Sequence, residues 1–385
     1  MLAIRTSRPS NPTANPFAGL RSNRAPTHWR RPCTSLECTL HQLSPYIGKI
    51  KSSIAGELVE LYSQPDELVV DPFAGAGTIP LEASIRGRRV FAADISPYAR
   101  VLSKAKLRPP KSLNAAIRAA NDALDESLMV KDQDLRSVPI WVRRFFHPRT
   151  LKEILQFAQI ARRPGNEFLL ACLLGILHHQ RPGFLSFPSS HLVPYLRDKK
   201  YPRLEFPEMY RYRELRPRLY AKIKRSYKRF LIPRPSGIVF HQSSIEQVKL
   251  PKYFDSLITS PPYMNALDYG RDNRLRLWFI EPTLSQRVDN GVTQRQDGFE
   301  QAIASLGEKV EKGLRVNGHC IFIVGEALRR TFDAHPSKIL VEILKRRAPS
   351  LVLRKVMTDD IPDVRRTRRT CRGVKTEHIL VFQRE

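Results

Sequence analysis

The chain has 385 residues, 42% of them hydrophobic, enough apolar material for one large or two medium domains, which excludes wholesale disorder. Its 65 Lys and Arg against 37 Asp and Glu leave a formal charge of +28, an excess that draws the chain to a polyanion, nucleic acid above all, with a salt-dependent attraction. Five scattered cysteines, Cys33, Cys38, Cys172, Cys320 and Cys371, fit neither a disulfide framework nor a zinc site, and imply a reducing cytoplasm without a bound metal. The longest apolar run, Phe168 to Leu177, falls short of the ~20 residues that cross a bilayer and reads as a buried helix.

In chain order, residues 1–40 are rich in Arg, Ser, Pro and Asn, with Glu37 the only acid. Four prolines in the first 26 residues oppose a helical transit peptide and favour a loose basic arm. Ile54, Leu58, Leu61 and Tyr62 recur at helical spacing. Asp66 to Val70 then reads as a strand entering the turn Asp71-Pro-Phe-Ala-Gly-Ala-Gly-Thr78, followed by a helix over Ile79 to Ile85. Gly75 and Gly77 permit positive φ and close approach of backbone to a ligand. Arg89 to Ala93 is a second strand ending at Asp94, 23 residues after Asp71, where an acid meets the hydroxyls of a ribose. There is no third glycine at the pyrophosphate spacing and no Gly-Lys-Ser/Thr. A carboxylate at Asp71 repels a pyrophosphate and suits a ligand with an ammonium or sulfonium, which favours S-adenosylmethionine over NAD or ATP.

Between Leu107 and Pro235, Trp141 to Phe157 and Asn166 to His178 show helical periodicity, and Arg181 to Pro207 is a proline-punctuated loop. From Arg211 to Arg234 there are ten Lys or Arg and the single acid Glu214, interleaved with Tyr210, Tyr212, Tyr220, Tyr227 and Phe230. That density points to a nucleic-acid surface carried by Arg211, Arg213, Arg216, Arg218, Lys222 and Arg225, with a solvated face as the plain alternative. A strand resumes at Gly237 to Phe240 and turns at Ser243 and Ser244. Phe254 to Ile258 is a short buried strand delivering Thr259-Ser260-Pro261-Pro262-Tyr263, where two prolines fix the direction of the carbonyls of Ser260 and Pro261. Asn265, Asp268, Tyr269 and Arg271 follow close by. Gln301 to Leu314 is a helix, Gly313 and Gly318 bracket a turn, Cys320 to Val324 is a buried strand and Ile339 to Leu344 a helix. Val352 to Met357 and His378 to Phe382 read as a closing antiparallel pair, separated by Arg365, Arg366, Arg368, Arg369 and Arg372, a candidate phosphate clamp.

The pairing of DPFAGAGT at 71–78 with SPPY at 260–263 resembles the two signature motifs of the amino-group DNA methyltransferases. HQLSPYIGK at 41–49 resembles the motif on the cofactor side in that family, and residues 377–384 resemble its closing strand. The resemblance covers 41–106 and 236–385. It implies an α/β, Rossmann-like methyltransferase sheet with helices on both faces, interrupted at 107–235 by a mainly helical, basic insert for target recognition. It also implies S-adenosylmethionine as cofactor, held by Tyr46, Asp71, Phe73, Gly75, Gly77, Thr78, Asp94, Ser243 and Ser244. The target base would be held by Ser260, Pro261, Pro262 and Tyr263, with Arg271 and the arginine loop on the nucleic acid.

An exocyclic base amine is a weak nucleophile, because its lone pair is delocalised into the ring. It needs two hydrogen-bond acceptors, here the Ser260 hydroxyl and the Pro261 carbonyl, and a base rotated out of the duplex onto Tyr263. Serine at the head of the tetrapeptide is, within the family, the form associated with the 4-amino group of cytosine. The adenine 6-amino group, a base amine of RNA and a non-catalytic nucleic-acid binder remain alternatives. The partners this implies are double-stranded DNA, in a nucleoid-associated cytoplasmic enzyme, and a cognate restriction endonuclease.

Overall fold

The computed structural model describes residues 17, 20, 22–30, 35–46, 48–179, 183–187, 201–234, 237–262, 269–283, 296–325, 336–361 and 375–385. The strands are β1 (Asn23–Arg24), β2 (Leu68–Asp71), β3 (Arg89–Asp94), β4 (Ile238–Gln242), β5 (Phe254–Thr259), β6 (Leu314–Gly325), β7 (Leu351–Ile361) and β8 (Lys375–Arg384). They form one sheet in the order β1-β7-β8-β6-β5-β2-β3-β4. Strands β2 to β6 pair in parallel, while β8 lies antiparallel between β6 and β7. The chain runs outward from β2 through β3 to β4, then returns to the other side of β2 with β5. That reversal opens a crevice at the carboxyl ends of β2 and β5, the place where open parallel sheets bind ligands.

Alternation along the strands sorts the core into two faces. Val69, Val90, Ala92, Ile258, Ile321, Ile323, Ile379 and Val381 meet α1 (Ser52–Tyr62) and α2 (Thr78–Ile85) on one side. Val70, Phe91, Leu257, Phe322, Leu380 and Phe382 meet α10 (Gln296–Gly313) and α11 (Pro336–Arg347) on the other. Helix α1 turns Ile54, Ala55, Leu58 and Val59 inward, whereas Leu61, at helical spacing in the sequence, is exposed. β6 follows α10 at once, so the turn expected between Gly313 and Gly318 is instead an excursion within the strand, with Asn317 at φ 63°. The β6 partners of Phe254 and Ser256, Leu314 and His319, lie five positions apart.

The insert contributes α4 (Leu113–Leu128), α5 (Ile140–Arg143), α6 (Pro148–Ala161), α7 (Glu167–Ile176) and α8 (Leu215–Ser226). These helices pack on α3 (Pro97–Leu107) and on α9 (Tyr269–Ile280), which flank the insert in sequence. Tyr98, Val101, Leu102 and Ala105 of α3 belong to the same core as Leu155, Phe157, Leu173 and Leu219.

The loose arm expected over 1–40 does not hold for its described residues. Asn23 and Arg24 add a parallel strand to Met357 and Thr358, and Phe17 is buried. Trp29 is fully buried, and its Nε1 donates to Glu57 of α1 at 2.6 Å. The reason is long-range: a single Trp among prolines and arginines finds its partners on α1 and the far edge of the sheet. Trp29→Ala should therefore cost about 3–5 kcal/mol in urea unfolding. A midpoint unchanged by that substitution would mean a dispensable arm.

Candidate active site

Asp71 closes β2 and Thr259 closes β5, side by side at the crevice. Thr259 Oγ1 donates to Asp71 Oδ1 at 2.7 Å, and the Phe73 amide donates to the same oxygen at 3.3 Å. The two sequence motifs are thus joined by a side-chain bond that their separate readings did not predict. Asp71 is buried, and burial, with the Asp94 charge adding, pushes its carboxyl up to about 7 against the pull of Thr259 and Phe73.

The turn beyond Asp71 takes left-handed backbone at Gly75 (φ 48°) and Gly77 (φ 68°). A Cβ at Gly77 would stand 2.6 Å from Ser103 Oγ of α3, so glycine is required there by packing as well as by φ. Gly77 heads α2 without a side-chain cap, which leaves first-turn amides of the helix for a ligand. Beside it, Thr78 Oγ1 and Ser103 Oγ are buried with no hydrogen-bond partner among the described residues. Orphaned hydroxyls next to an uncapped glycine turn fit a polar ligand group received at this point. Lys106 of α3, buried below the turn, donates to the carbonyl of Ala76 and holds the peptide between the two glycines. Burial pushes its ammonium down to about 7.

Asp94 ends β3 with one carboxylate oxygen accepting from Gly75 N and the other from Ser96 N, each at 2.8 Å. It therefore ties the glycine turn to the start of α3, and its remaining lone pairs suit ribose hydroxyls. Ser243 follows β4, its amide donating to Asp94 O at 3.0 Å, with Ser244 next in the same half-buried turn. The half-buried Tyr46 lies against Gly75, 3.4 Å from where a Cβ would be, and stacks on Tyr98 with ring centroids 5.7 Å apart. Phe73 is half-buried. Every residue expected on the cofactor is thus gathered around one end of β2, β3 and β4. Asp94→Ala should weaken cofactor binding at least ~tenfold in calorimetry, because it removes charge-assisted bonds to the turn and to the ribose. Unchanged affinity would remove the ribose assignment.

On the other side of the crevice, Ser260 Oγ donates to Ile323 O of β6 at 3.1 Å. A carbonyl only accepts, so the serine proton is committed there and the oxygen's lone pairs are left to act as acceptors. Pro261 is buried and Pro262 half-buried. Tyr263, Asn265 and Asp268 lie outside the described residues, as do Arg365, Arg366, Arg368, Arg369 and Arg372. Arg271 is in α9, with its side chain outside the described residues.

The basic insert differs from its sequence reading. Lys222 is buried, donates to Gln42 O at 2.6 Å, and is pushed down to about 8 by desolvation, so it is withdrawn from any phosphate. Its period places it on the inner face of α8 with Leu215, Leu219 and Ile223. Arg216 pairs with Asp125 at 2.6 Å, Arg218 donates to Glu214 O at 2.9 Å, and Arg211 pairs with Glu208. Arg213 is half-buried beside Phe187, while Arg225 is exposed. The interleaved rings do not stand out to stack on bases: Tyr212 donates to Glu153, Tyr220 to Asn121 and Tyr227 to Pro110 O, and Phe230 packs on the core.

The UPF0020 family model, described as an RMKL-like methyltransferase domain, matches residues 43–137, the part that carries Tyr46, the glycine turn and Asp94. The chain is 24% identical over 314 residues to the Type II methyltransferase M.MvaI of Kocuria varians, a match covering 72% of this chain and 63% of that relative. Among solved structures, TrmN from Thermus thermophilus aligns at 12% identity and TM-score 0.34, over 88% of this chain and 50% of its own. A putative RNA methyltransferase from Pyrococcus horikoshii aligns at 10% identity and TM-score 0.36, over 95% and 94%. The fold itself is given by the sheet order above. The glycine turn and Asp94 at the crevice thus lie in the segment that is similar to a methyltransferase domain, which fits S-adenosylmethionine as cofactor.

Proposed function

We propose that this protein is a DNA methyltransferase that modifies the exocyclic 4-amino group of cytosine in a base rotated out of the duplex. The observation that carries the reading is the Ser260 hydroxyl, fixed by Ile323 O as an acceptor and set across the crevice from the glycine turn. S-adenosylmethionine supplies an electrophilic methyl on a sulfonium. Tyr46, the turn at 71–78, Asp94 and the Ser243–Ser244 turn hold it, and Asp71 places negative charge beside its cationic end. Ser260 and Pro261 accept the two hydrogens of the amine, drawing the nitrogen lone pair out of conjugation so that it attacks along one line. The likeness to a Type II methyltransferase supports a DNA substrate, and the serine in the SPPY resemblance supports cytosine.

The test is mass spectrometry of nucleosides from duplex DNA and from RNA, each incubated with the protein and S-adenosylmethionine. Methylated 4-amino-cytosine in DNA is expected. Methylation of the adenine 6-amino group would move the target base, and label in RNA alone would overturn the DNA substrate.

A further inference from the structure

Lys222 of α8 is buried and Tyr220, Tyr227 and Phe230 pack against the core, so a surface for nucleic acid has to lie elsewhere. Helix α9, which follows the base-holding stretch, carries two arginines on opposite sides, since positions two apart on a helix diverge by ~200°. Arg276 is buried, its guanidinium 5.9 Å from the ring of Tyr98, the residue that backs Tyr46 at the glycine turn. Arg274 is exposed, and its guanidinium lies 4.4 Å over the ring of Trp141 at the head of the insert's α5. Arg144, one turn on from Trp141, is also exposed. The next residues turn inward, Phe146 meeting Phe279 of α9 edge-on at 5.9 Å, which fastens this stretch to the helix. The chain then surfaces again at Arg149, whose guanidinium lies 4.2 Å over Tyr212.

Two guanidinium–aromatic contacts therefore bracket an exposed arginine, on a ridge that starts at α9, the helix that follows the Ser260–Pro262 stretch in sequence. A ring beneath a guanidinium restrains its plane and leaves its N–H edge for outside acceptors, a fork that matches two phosphate oxygens. Glu153, a nearby acid, is already engaged by Tyr212 Oη and by Leu215 N at 2.9 Å. We propose that Arg274, Arg144 and Arg149, braced by Trp141 and Tyr212, form a phosphate-binding ridge for the backbone of duplex DNA as it enters the catalytic crevice. The inference rests on the nucleic-acid substrate proposed above and adds the surface that takes it.

The experiment compares wild type with the variant R144A/R149A/R274A in binding a short duplex oligonucleotide across a potassium chloride series. Loss of three phosphate contacts should lower affinity ~10- to 100-fold at low salt and flatten the slope of log K against log salt by ~2–3. S-adenosylmethionine affinity, measured by calorimetry as a check of folding, should be retained. A second readout uses wild type alone: of the three tryptophans, Trp29 and Trp278 are buried and Trp141 is half-exposed, so acrylamide quenching reports Trp141. Duplex should shield it. Unchanged affinity and slope in the variant, or quenching that duplex leaves unaltered while it binds, overturns the ridge and leaves the methyltransferase reading standing. Loss of binding confined to structured RNA overturns duplex DNA both as the ridge's partner and as the proposed substrate.

Discussion

Ser260→Ala should slow single-turnover methyl transfer by ~10²-fold or more, the scale seen when one preorganised hydrogen-bonding group at a reacting centre is removed. Cofactor affinity should stay within about twofold, because the serine sits on the β5 side of the crevice and, among the described residues, bonds to Ile323 O of β6 instead of to the glycine turn. The geometry makes the separation sharp. Among the described residues the serine side chain bonds to Ile323 O alone, so alanine removes an acceptor from the amine side and leaves the Asp71–Thr259 bond in place. Stability should change by about 1 kcal/mol, the worth of one intramolecular hydrogen bond. Equal losses of cofactor binding and turnover would make Ser260 a structural residue of the β5–β6 edge and remove it from the chemistry.

Cofactor affinity should also pass through a maximum near neutral pH, with each limb owned by a different buried group. Asp71 titrates at about 7, and a cationic ligand beside it favours the carboxylate. Below that pH the proton must leave before binding, so affinity falls about tenfold per pH unit. Lys106 is pushed down to about 7 by burial and by Lys49, against the pull of Glu37, Cys38 and Glu82. Above that pH it loses the charge that strengthens its bond to Ala76 O, the glycine turn loosens, and affinity falls on the alkaline side. Calorimetric titrations from pH 5.5 to about 9 should show Asp71→Asn without the acid limb and Lys106→Met without the alkaline one. Thr259→Val removes a bond that favours the carboxylate, so it should move the acid limb to higher pH. An acid limb that persists in Asp71→Asn would sink the assignment.

What was legible in the sequence was local. The strand, glycine turn, helix and acid from Asp66 to Asp94 are specified by neighbours a few residues apart, and the structure places them as read. The antiparallel closing pair was visible for the same reason, each strand carrying its own alternation. Contacts between distant segments were not visible. Thr259 reads as an unremarkable strand end until β5 lies beside β2. Lys106 carries no sequence signal of its own, and its role appears only where it meets Ala76 O. A count of rings and charges over 211–234 carries no angular positions, so it takes Lys222 and Tyr220 for surface when α8 sets Lys222 on its inner face and packs Tyr220 against the core.

The common core that α3 shares with the insert's helices constrains how the insert can be exchanged. A recognition module that folds by itself can be exchanged between enzymes like a cassette. Here removal of 107–235 would strip the apolar face of α3, whose other side abuts Gly77 through Ser103 and Ala76 through Lys106. A graft from a relative would have to re-form that interface before the glycine turn regained its shape. Change in the insert is therefore open on its outer face, while its inner face is held by the apolar side of α3 on which it rests.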